Sequence, residues 1–178
     1  IKVQDVLFCL VDVQEKLFAH NENKDELEKN LNTLVKELKV LNIPFIVNEQ
    51  YKKRIGETIP SLKELVQNDS SFEKTTFSCC QNSDTLEAIK ATNKKVVIVA
   101  GIETHVCVLQ TCIDLLENGF KVVLVTDASG SRKKMDHKMA IKRLVQAGAI
   151  PTTYESILFE LTLNAKNPCF KEISSLVK

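Results

Sequence analysis

The sequence predicts a three-layer α/β/α fold with a doubly wound, mostly parallel sheet of about six strands. Short apolar runs alternate with amphipathic segments along the chain, which is typical of repeated strand–helix–strand units. Residues 6–11 and 96–100 are continuously apolar, as expected of strands that are buried on both faces. Because no repeat, low-complexity stretch or linker divides the chain, we expect one domain over residues 1–178.

The first half of the chain predicts three strands and the helices between them. The longest helix follows from a stripe of leucines, because apolar residues spaced by three and four share one helix face. Those leucines are Leu27, Leu31, Leu34, Leu38 and Leu41. The predicted elements, in order, are a strand at 6–11, a helix at about 24–41, a strand at 45–47, a short helix near 61–66, a strand near 71–74 and a helix at about 83–91.

The second half continues the alternation. Its first strand, at 96–100, ends at Gly101, and the helix after it begins near Thr104 and closes at Gly119, a residue typical of a helix C-terminus. The remaining predicted elements are a strand at 122–125, a helix at about 133–147, a weaker strand near 152–154 and a helical tail. Right-handed connections between parallel strands are expected throughout.

The composition is that of an ordinary folded protein and argues against several function classes. The 24 Lys and Arg nearly balance the 23 Asp and Glu, and this balance gives no electrostatic basis for nucleic-acid or anionic-membrane binding. No apolar run approaches the roughly 20 residues of a membrane span. We expect a cytoplasmic protein with mostly free thiols and no membrane or nucleic-acid partner. Organellar targeting stays open because the chain begins at Ile1 rather than at Met.

Three chemically active side chains stand where predicted strands end. Asp12 follows the first strand, Lys74 ends the third, and Cys107 lies in the first turn of the helix after the fourth. Ligands of doubly wound folds bind beyond the carboxyl ends of the strands, so these residues are expected at one edge of the sheet. Each alone is more often a turn residue, a solvated lysine or a small core residue. Their shared position favours a catalytic interpretation.

The chemistry of a thiol nucleophile fits this set. Thiolate is the reactive form of cysteine, and a helix N-terminus and a nearby ammonium both stabilise it. A carboxylate can accept the thiol proton and later return it to a leaving group. Backbone N–H groups at the start of the helix can hold an oxyanion. We therefore expect Cys107 to be an activated nucleophile with Asp12 and Lys74 as its partners.

Three separated motifs resemble those of the isochorismatase-like hydrolases, and the resemblance covers nearly the whole chain. The motifs are Leu10-Val11-Asp12-Val13-Gln14, Phe72-Glu73-Lys74-Thr75-Thr76-Phe77-Ser78 and Gly101-Ile102-Glu103-Thr104-His105-Val106-Cys107-Val108. The segment at residues 48–51 is similar to the isochorismatase domain-containing proteins, especially those of type 2.

The resemblance implies a Rossmann-like hydrolase fold with a catalytic triad of Asp12, Lys74 and Cys107. It also implies a non-proline cis peptide bond between Ile102 and Glu103, which in the family turns a backbone N–H toward the oxyanion. The expected oxyanion donors are the backbone amides of Glu103 and Cys107. A cysteine at the nucleophile position favours the amidase and carbamoylase branch, which forms a thioester. Isochorismatases proper cleave a vinyl ether and usually carry another residue there.

We expect no cofactor and no metal ion. Nicotinamidases of the family hold a metal through an Asp and two His after the second strand, whereas the corresponding residues 48–53 contain no His. The three histidines, His20, His105 and His137, lack the spacing of metal ligands. A nicotinamidase activity is therefore disfavoured.

The substrate-binding residues are less defined than the triad. Gln14, Phe18, Gln50 and Phe77 lie beside the motifs and are candidates, with core packing an equal alternative for the two phenylalanines. The expected partner is a small-molecule substrate whose identity the sequence does not reveal. Because the family commonly forms homo-oligomers, we expect a dimer, tetramer or larger assembly in which a neighbouring subunit could complete the pocket.

Two other function classes stay open. The triad could serve the fold or ligand binding in a non-catalytic, oligomeric interaction protein. An activated Cys107 could instead make the chain a redox-sensing thiol protein, in which a second cysteine resolves a sulfenic acid. The presence of all three triad residues favours the hydrolase.

Overall fold

A six-stranded parallel sheet forms the centre of the computed structural model, which describes residues 1–176. Its strands are β1 (Val6–Val11), β2 (Phe45–Gln50), β3 (Ser70–Lys74), β4 (Val96–Ile102), β5 (Lys121–Gly130) and β6 (Ile150–Thr152). The order across the sheet is β3-β2-β1-β4-β5-β6, with every adjacent pair parallel. The order reverses between β1 and β4, where doubly wound folds open a crevice at the strand ends. The predicted fold class is confirmed.

Helices cover both faces of the sheet. They are α1 (Glu15–Phe18), α2 (Lys24–Val40), α3 (Lys52–Ile55), α4 (Pro60–Val66), α5 (Ser83–Ala91), α6 (Leu109–Glu117), α7 (Lys134–Ala147), α8 (Tyr154–Thr162) and α9 (Phe170–Leu176). The chain also forms 3₁₀ turns at Val3–Asp5 and Cys79–Gln81 and a π-helical turn at Thr104–Val108. Among the described residues no helix combines the length and the apolarity of a bilayer-spanning segment.

The sheet divides the core into two apolar layers, because successive side chains of a strand point to opposite faces. On β1, Phe8 and Leu10 face the layer that contains residues of α2, α4 and α8, whereas Leu7 and Cys9 face the layer that contains residues of α5, α6 and α7. Every residue of β1, β2 and β4 is buried. The predicted leucine stripe of α2 is buried as well. These contacts fix the central strands whose carboxyl ends carry the site.

A close approach of β1 and β4 requires glycine where the site begins. Gly101 has a φ of 134°, and a Cβ atom on it would lie 2.1 Å from the carbonyl oxygen of Val11. No side chain fits in that space, so the two strands come together just before their functional residues. Asp12 follows with a φ of 49°, a left-handed conformation that aspartate tolerates better than most residues.

Several boundaries differ from the predicted ones. Strand β2 continues past residue 47 to Gln50, and β5 continues past residue 125 to Gly130. The helix predicted from Thr104 begins as a π-helical turn before α6. Strand β6 begins two residues before the predicted 152–154 and ends at Thr152, because the Thr153 hydroxyl accepts from the Ser156 amide and starts α8. The short helices α1 and α3 were not predicted.

Candidate active site

Asp12, Lys74 and Cys107 come together at the carboxyl edge of the sheet. The Lys74 ammonium lies 2.7 Å from Asp12 Oδ2, and both side chains are fully buried. Cys107 is 5% exposed and stands in the π-helical turn that follows β4. Its thiol lies close enough to the Asp12 carboxylate for each group to shift the pKa of the other. The three residues therefore form one buried acid–ammonium–thiol cluster, as their positions at strand ends predict.

The backbone of each neighbouring strand holds this cluster in place. Strand β1 ends at Val11, and the Asp12 amide then donates to the carbonyl of Asn48 on β2 over 3.0 Å. Strand β2 in turn pairs with β3, with Gln50 opposite Lys74. The sheet register thus places Asp12 and Lys74 at the same level along the strand direction, at the carboxyl ends of β1 and β3.

Lys74 is surrounded by oxygen acceptors. Its Nζ donates to Asp12 Oδ2 over 2.7 Å, to Gln50 Oε1 over 2.7 Å, and to the carbonyls of Thr76 and Phe77 over 3.1 Å and 3.0 Å. The two carbonyls come from the loop directly after β3. Motif reasoning could not have found them, because backbone carbonyls carry no sequence signal.

The second oxygen of Asp12 is different. Oδ1 is buried and makes no hydrogen bond with any described residue. Burial raises the pKa of Asp12 to about 6, although Lys74 and the Cys107 thiol act to lower it. The carboxylate is therefore ionised at neutral pH and retains an unused acceptor for a proton.

The protonation state of Cys107 differs from the sequence argument. Burial raises the pKa of the Cys107 thiol well above its ordinary value, and Asp12 raises it further, whereas Lys74 lowers it. For Lys74, burial acts to lower the pKa, but Asp12 and nearby thiols outweigh it and the net direction is upward. The site therefore rests as thiol, carboxylate and ammonium: Lys74 lowers the pKa of the thiol as expected, but burial and Asp12 outweigh that effect.

The turn before the nucleophile is held by Glu103. The peptide bond between Ile102 and Glu103 is cis. The Glu103 carboxylate accepts from the Arg132 amide over 3.1 Å, and its carbonyl accepts from the Val106 amide over 3.0 Å. The role of the Glu103 and Cys107 amides as oxyanion donors stays a prediction.

The four predicted substrate-binding residues lie in different surroundings. Gln14 is buried, with its amide bonded to the backbone of Gln50 and to the Gly56 carbonyl. Phe18 packs in the apolar layer that contains α2, whereas the Phe77 side chain is 54% exposed in the loop whose carbonyls bind Lys74. Substrate binding by these residues stays a prediction.

Two histidines help to connect the π-helical turn that carries Cys107 with the end of β5 and with α7. Thr104 donates to the Gly130 carbonyl over 3.0 Å and pairs with His137 Nδ1 at 2.9 Å. His105 Nδ1 lies 3.0 Å from the Ser131 hydroxyl. Both histidines thus have protein partners, and residues 1–176 contain no group of three or more His, Cys, Asp or Glu side chains suited to a metal ion.

Comparison with known proteins places the fold and the motifs in one family. Residues 6–156 match the isochorismatase domain. Isochorismatase family protein 1A of Dictyostelium discoideum is 39% identical over 175 residues, which are 96% of this chain and 84% of that protein. Isochorismatase domain-containing protein 1 of Danio rerio and isochorismatase domain-containing protein 2 of Bos taurus are 35% and 36% identical.

Solved structures agree with this placement. The Mar1 ribonuclease of Caenorhabditis elegans is 40% identical with a TM-score of 0.94, and the alignment covers 99% of this chain and 91% of that one. YcaC of Escherichia coli, described as an octameric hydrolase of unknown specificity, is 29% identical with a TM-score of 0.95, covering 99% and 88% of the two chains. The matched region includes Asp12, Lys74 and Cys107.

Proposed function

The chain belongs to the isochorismatase family, and we propose that it is a metal-independent cysteine hydrolase of a small amide or carbamoyl-type C–N bond. The observation that carries the proposal is the buried contact of 2.7 Å between Asp12 and Lys74 beside the Cys107 thiol. A carboxylate, an ammonium and a thiol are the groups that acyl transfer through a thioester requires.

The first step joins the Cys107 sulfur to the substrate carbonyl carbon. Asp12 accepts the thiol proton on its free oxygen as the S–C bond forms, because an isolated thiolate is disfavoured in this buried site. The carbonyl π electrons move to oxygen, and the backbone amides of Glu103 and Cys107 hold the resulting oxyanion. Lys74 keeps its proton and balances the negative charge on sulfur and oxygen.

The second step breaks the C–N bond. Asp12 returns the proton to the departing nitrogen, which leaves as ammonia or an amine, and the carbonyl re-forms as a thioester on Cys107. A water molecule then attacks the thioester carbon while Asp12 takes one of its protons. Collapse of this intermediate releases the acid and returns the proton to the Cys107 sulfur. A pKa of about 6 suits Asp12 to both roles near neutral pH.

We also propose that the protein works as a homo-oligomer. YcaC of Escherichia coli is octameric, and it matches nearly the whole of this chain. The triad residues are at most 5% exposed, so access to them depends on the surrounding loops and on any neighbouring subunit. Sedimentation velocity measures the assembly directly, and a monomer at micromolar concentration would contradict this part of the proposal.

Phosphodiester cleavage is a second candidate, raised by the similarity to the Mar1 ribonuclease of Caenorhabditis elegans. The buried triad favours a small carbonyl substrate over an RNA chain, because a polymer must reach a sulfur that is only 5% exposed. A thiol attack on phosphorus would also replace a P–O bond with a weaker P–S bond. RNA therefore serves as a competing substrate in the test.

The test measures ammonia release from a panel of small primary amides, ureas and carbamoyl compounds, with RNA cleavage followed in parallel. We expect turnover of a carbonyl substrate by the wild type, none by Cys107→Ala, and wild-type turnover by the matched variant Cys169→Ala, whose cysteine lies beside Val40 on α2. Intact mass should show an acyl adduct on Cys107. Turnover by Cys107→Ala would remove the proposal, and cleavage of RNA alone would favour the second candidate.

A further inference from the structure

Gln50 shares the Lys74 ammonium with Asp12. The two side-chain oxygens, Asp12 Oδ2 and Gln50 Oε1, are the nearest acceptors at 2.7 Å each. An ammonium has three N–H groups, so these two oxygens and the carbonyls of Thr76 and Phe77 together exceed its donors. Asp12 Oδ2 and Gln50 Oε1 therefore hold the ammonium more closely than the two carbonyls do.

The orientation of the Gln50 amide is determined by its neighbours. Its Nε2 donates to the Thr75 carbonyl over 2.8 Å, while its Oε1 faces Lys74. A flipped amide would point N–H groups at the ammonium and an oxygen at the Thr75 carbonyl, and both contacts would repel. The Gln50 backbone is fixed as well, because its N–H donates to Gln14 Oε1 and its carbonyl accepts from Gln14 Nε2. The acceptor is thus preorganised before any substrate binds.

The neutral charge of the Gln50 amide matters in the proposed reaction. When Asp12 takes the thiol proton, it becomes neutral and its attraction for Lys74 falls. The Gln50 oxygen does not change its charge at that moment, so it continues to accept a hydrogen bond from the ammonium. A carboxylate in its place would compete with Asp12 and with the developing negative charge on sulfur.

We propose that Gln50 is a positioning residue that holds the Lys74 ammonium between Asp12 and Cys107 throughout the proposed reaction. It acts through Lys74 and touches neither the substrate nor the reacting sulfur. This role is distinct from the substrate contact that its place beside the motifs predicts. The inference rests on the proposed function, since it assigns a part in that mechanism.

The test is the pH dependence of Cys107 alkylation by iodoacetamide, read by peptide mass spectrometry in the full chain. In the wild type the rate should rise with pH through an inflection near 6, where Asp12 ionises and becomes able to accept the thiol proton. In Gln50→Met, Lys74 is held less well and lowers the pKa of Asp12 less. The inflection should therefore move up by about one unit, which makes the reaction up to about tenfold slower below it.

Matched variants separate this role from packing. Gln67→Met makes the same exchange at an exposed residue and should keep the wild-type profile. Gln50→Glu keeps the size of the side chain but places a second carboxylate on Lys74, so it should also raise the inflection. A packing role predicts a wild-type inflection for Gln50→Met, because methionine fills much of the same space. The Gln50→Glu variant also serves as the readout if Gln50→Met does not fold.

The outcomes distinguish the two proposals. A wild-type profile without an inflection near 6, or no reaction at Cys107, removes the proposed activation of the thiol. A normal wild-type profile together with an unshifted inflection in the folded Gln50 variants overturns the positioning role and leaves the proposed function standing.

Discussion

Replacing Lys74 with methionine tests the energetics of the buried pair. Methionine has a similar length and no charge, so Lys74→Met removes the ammonium while it fills much of the same space. Asp12 then keeps one oxygen without any partner among residues 1–176 and loses the 2.7 Å contact of the other. Both side chains of the pair are fully buried, so water cannot replace the lost partner without rearrangement.

The expected loss of unfolding free energy is large. Removing one partner of a buried ion pair typically costs about 3–5 kcal/mol, and small domains have only about 5–15 kcal/mol of stability in total. The loss should depend on pH, because Lys74 lowers the pKa of Asp12 and its removal raises that pKa above 6. Protonated Asp12 carries no buried charge. The deficit of Lys74→Met relative to the wild type should therefore be smaller at pH 5 and widen as pH rises above 6.

The assay is urea unfolding of the wild type, Lys74→Met, Asp12→Asn and the double variant at pH 5 and pH 7.5. We expect the double variant to be more stable at pH 7.5 than the sum of the single losses predicts, by about 2–3 kcal/mol, because it no longer buries a lone charge. Purely additive losses, or a Lys74→Met deficit that does not change with pH, would refute the reasoning.

Three further perturbations follow from the same contacts. Asp12→Asn should lower kcat/KM by about 10²–10⁴-fold and abolish the inflection near pH 6 in a pH–rate profile, and an unchanged acid limb would count against Asp12 as the base. Gly101→Ala should lower the free energy of unfolding by more than about 3 kcal/mol in thermal unfolding, since the new Cβ meets a β1 carbonyl oxygen at 2.1 Å. The control Gly119→Ala, also at positive φ but with open space around it, should lower it by only about 1 kcal/mol. Burial, with a smaller contribution from Glu172, raises the pKa of Glu37 from 4.5 to about 7. Ionising it therefore lowers stability as pH rises through that window, so Glu37→Gln should match the wild type at pH 4 and exceed it by about 3 kcal/mol at pH 8 in urea unfolding; an equal difference at both pH values would contradict this.

The fold could be predicted because its central elements carry strong local patterns. Strands β1 and β4 are continuously apolar, so the sequence predicts that both of their faces are buried. The leucines of α2 recur at helical spacing, so the sequence predicts that one face of this helix is buried. The end of β2 lacked such a signal. Its last three residues are polar, which in the sequence marks the end of a strand: Asn48, Glu49 and Gln50. They nevertheless stay buried in the sheet, because hydrogen-bond partners for their side chains come from distant parts of the chain, such as Thr58 for Glu49.

The sequence was enough to predict which residues form the site, but not their protonation states. The positions of Asp12, Lys74 and Cys107 at strand ends follow from the rule that parallel strands end at one edge of the sheet. The pKa of the thiol depends on burial and on the nearness of Asp12, and these quantities exist only in the folded chain. The same holds for Gln50, whose contact with Lys74 follows from the register of β2 and β3 rather than from a motif.

The central claim is that Asp12 activates Cys107. The most direct measurement is the alkylation rate of each cysteine between pH 5 and pH 10, compared for the wild type and Asp12→Asn. We predict that wild-type Cys107 reacts with an inflection near pH 6 that no other cysteine shows, and that Asp12→Asn removes it. A Cys107 that titrates like an ordinary thiol near 8.5, or a profile that Asp12→Asn leaves unchanged, would contradict the account.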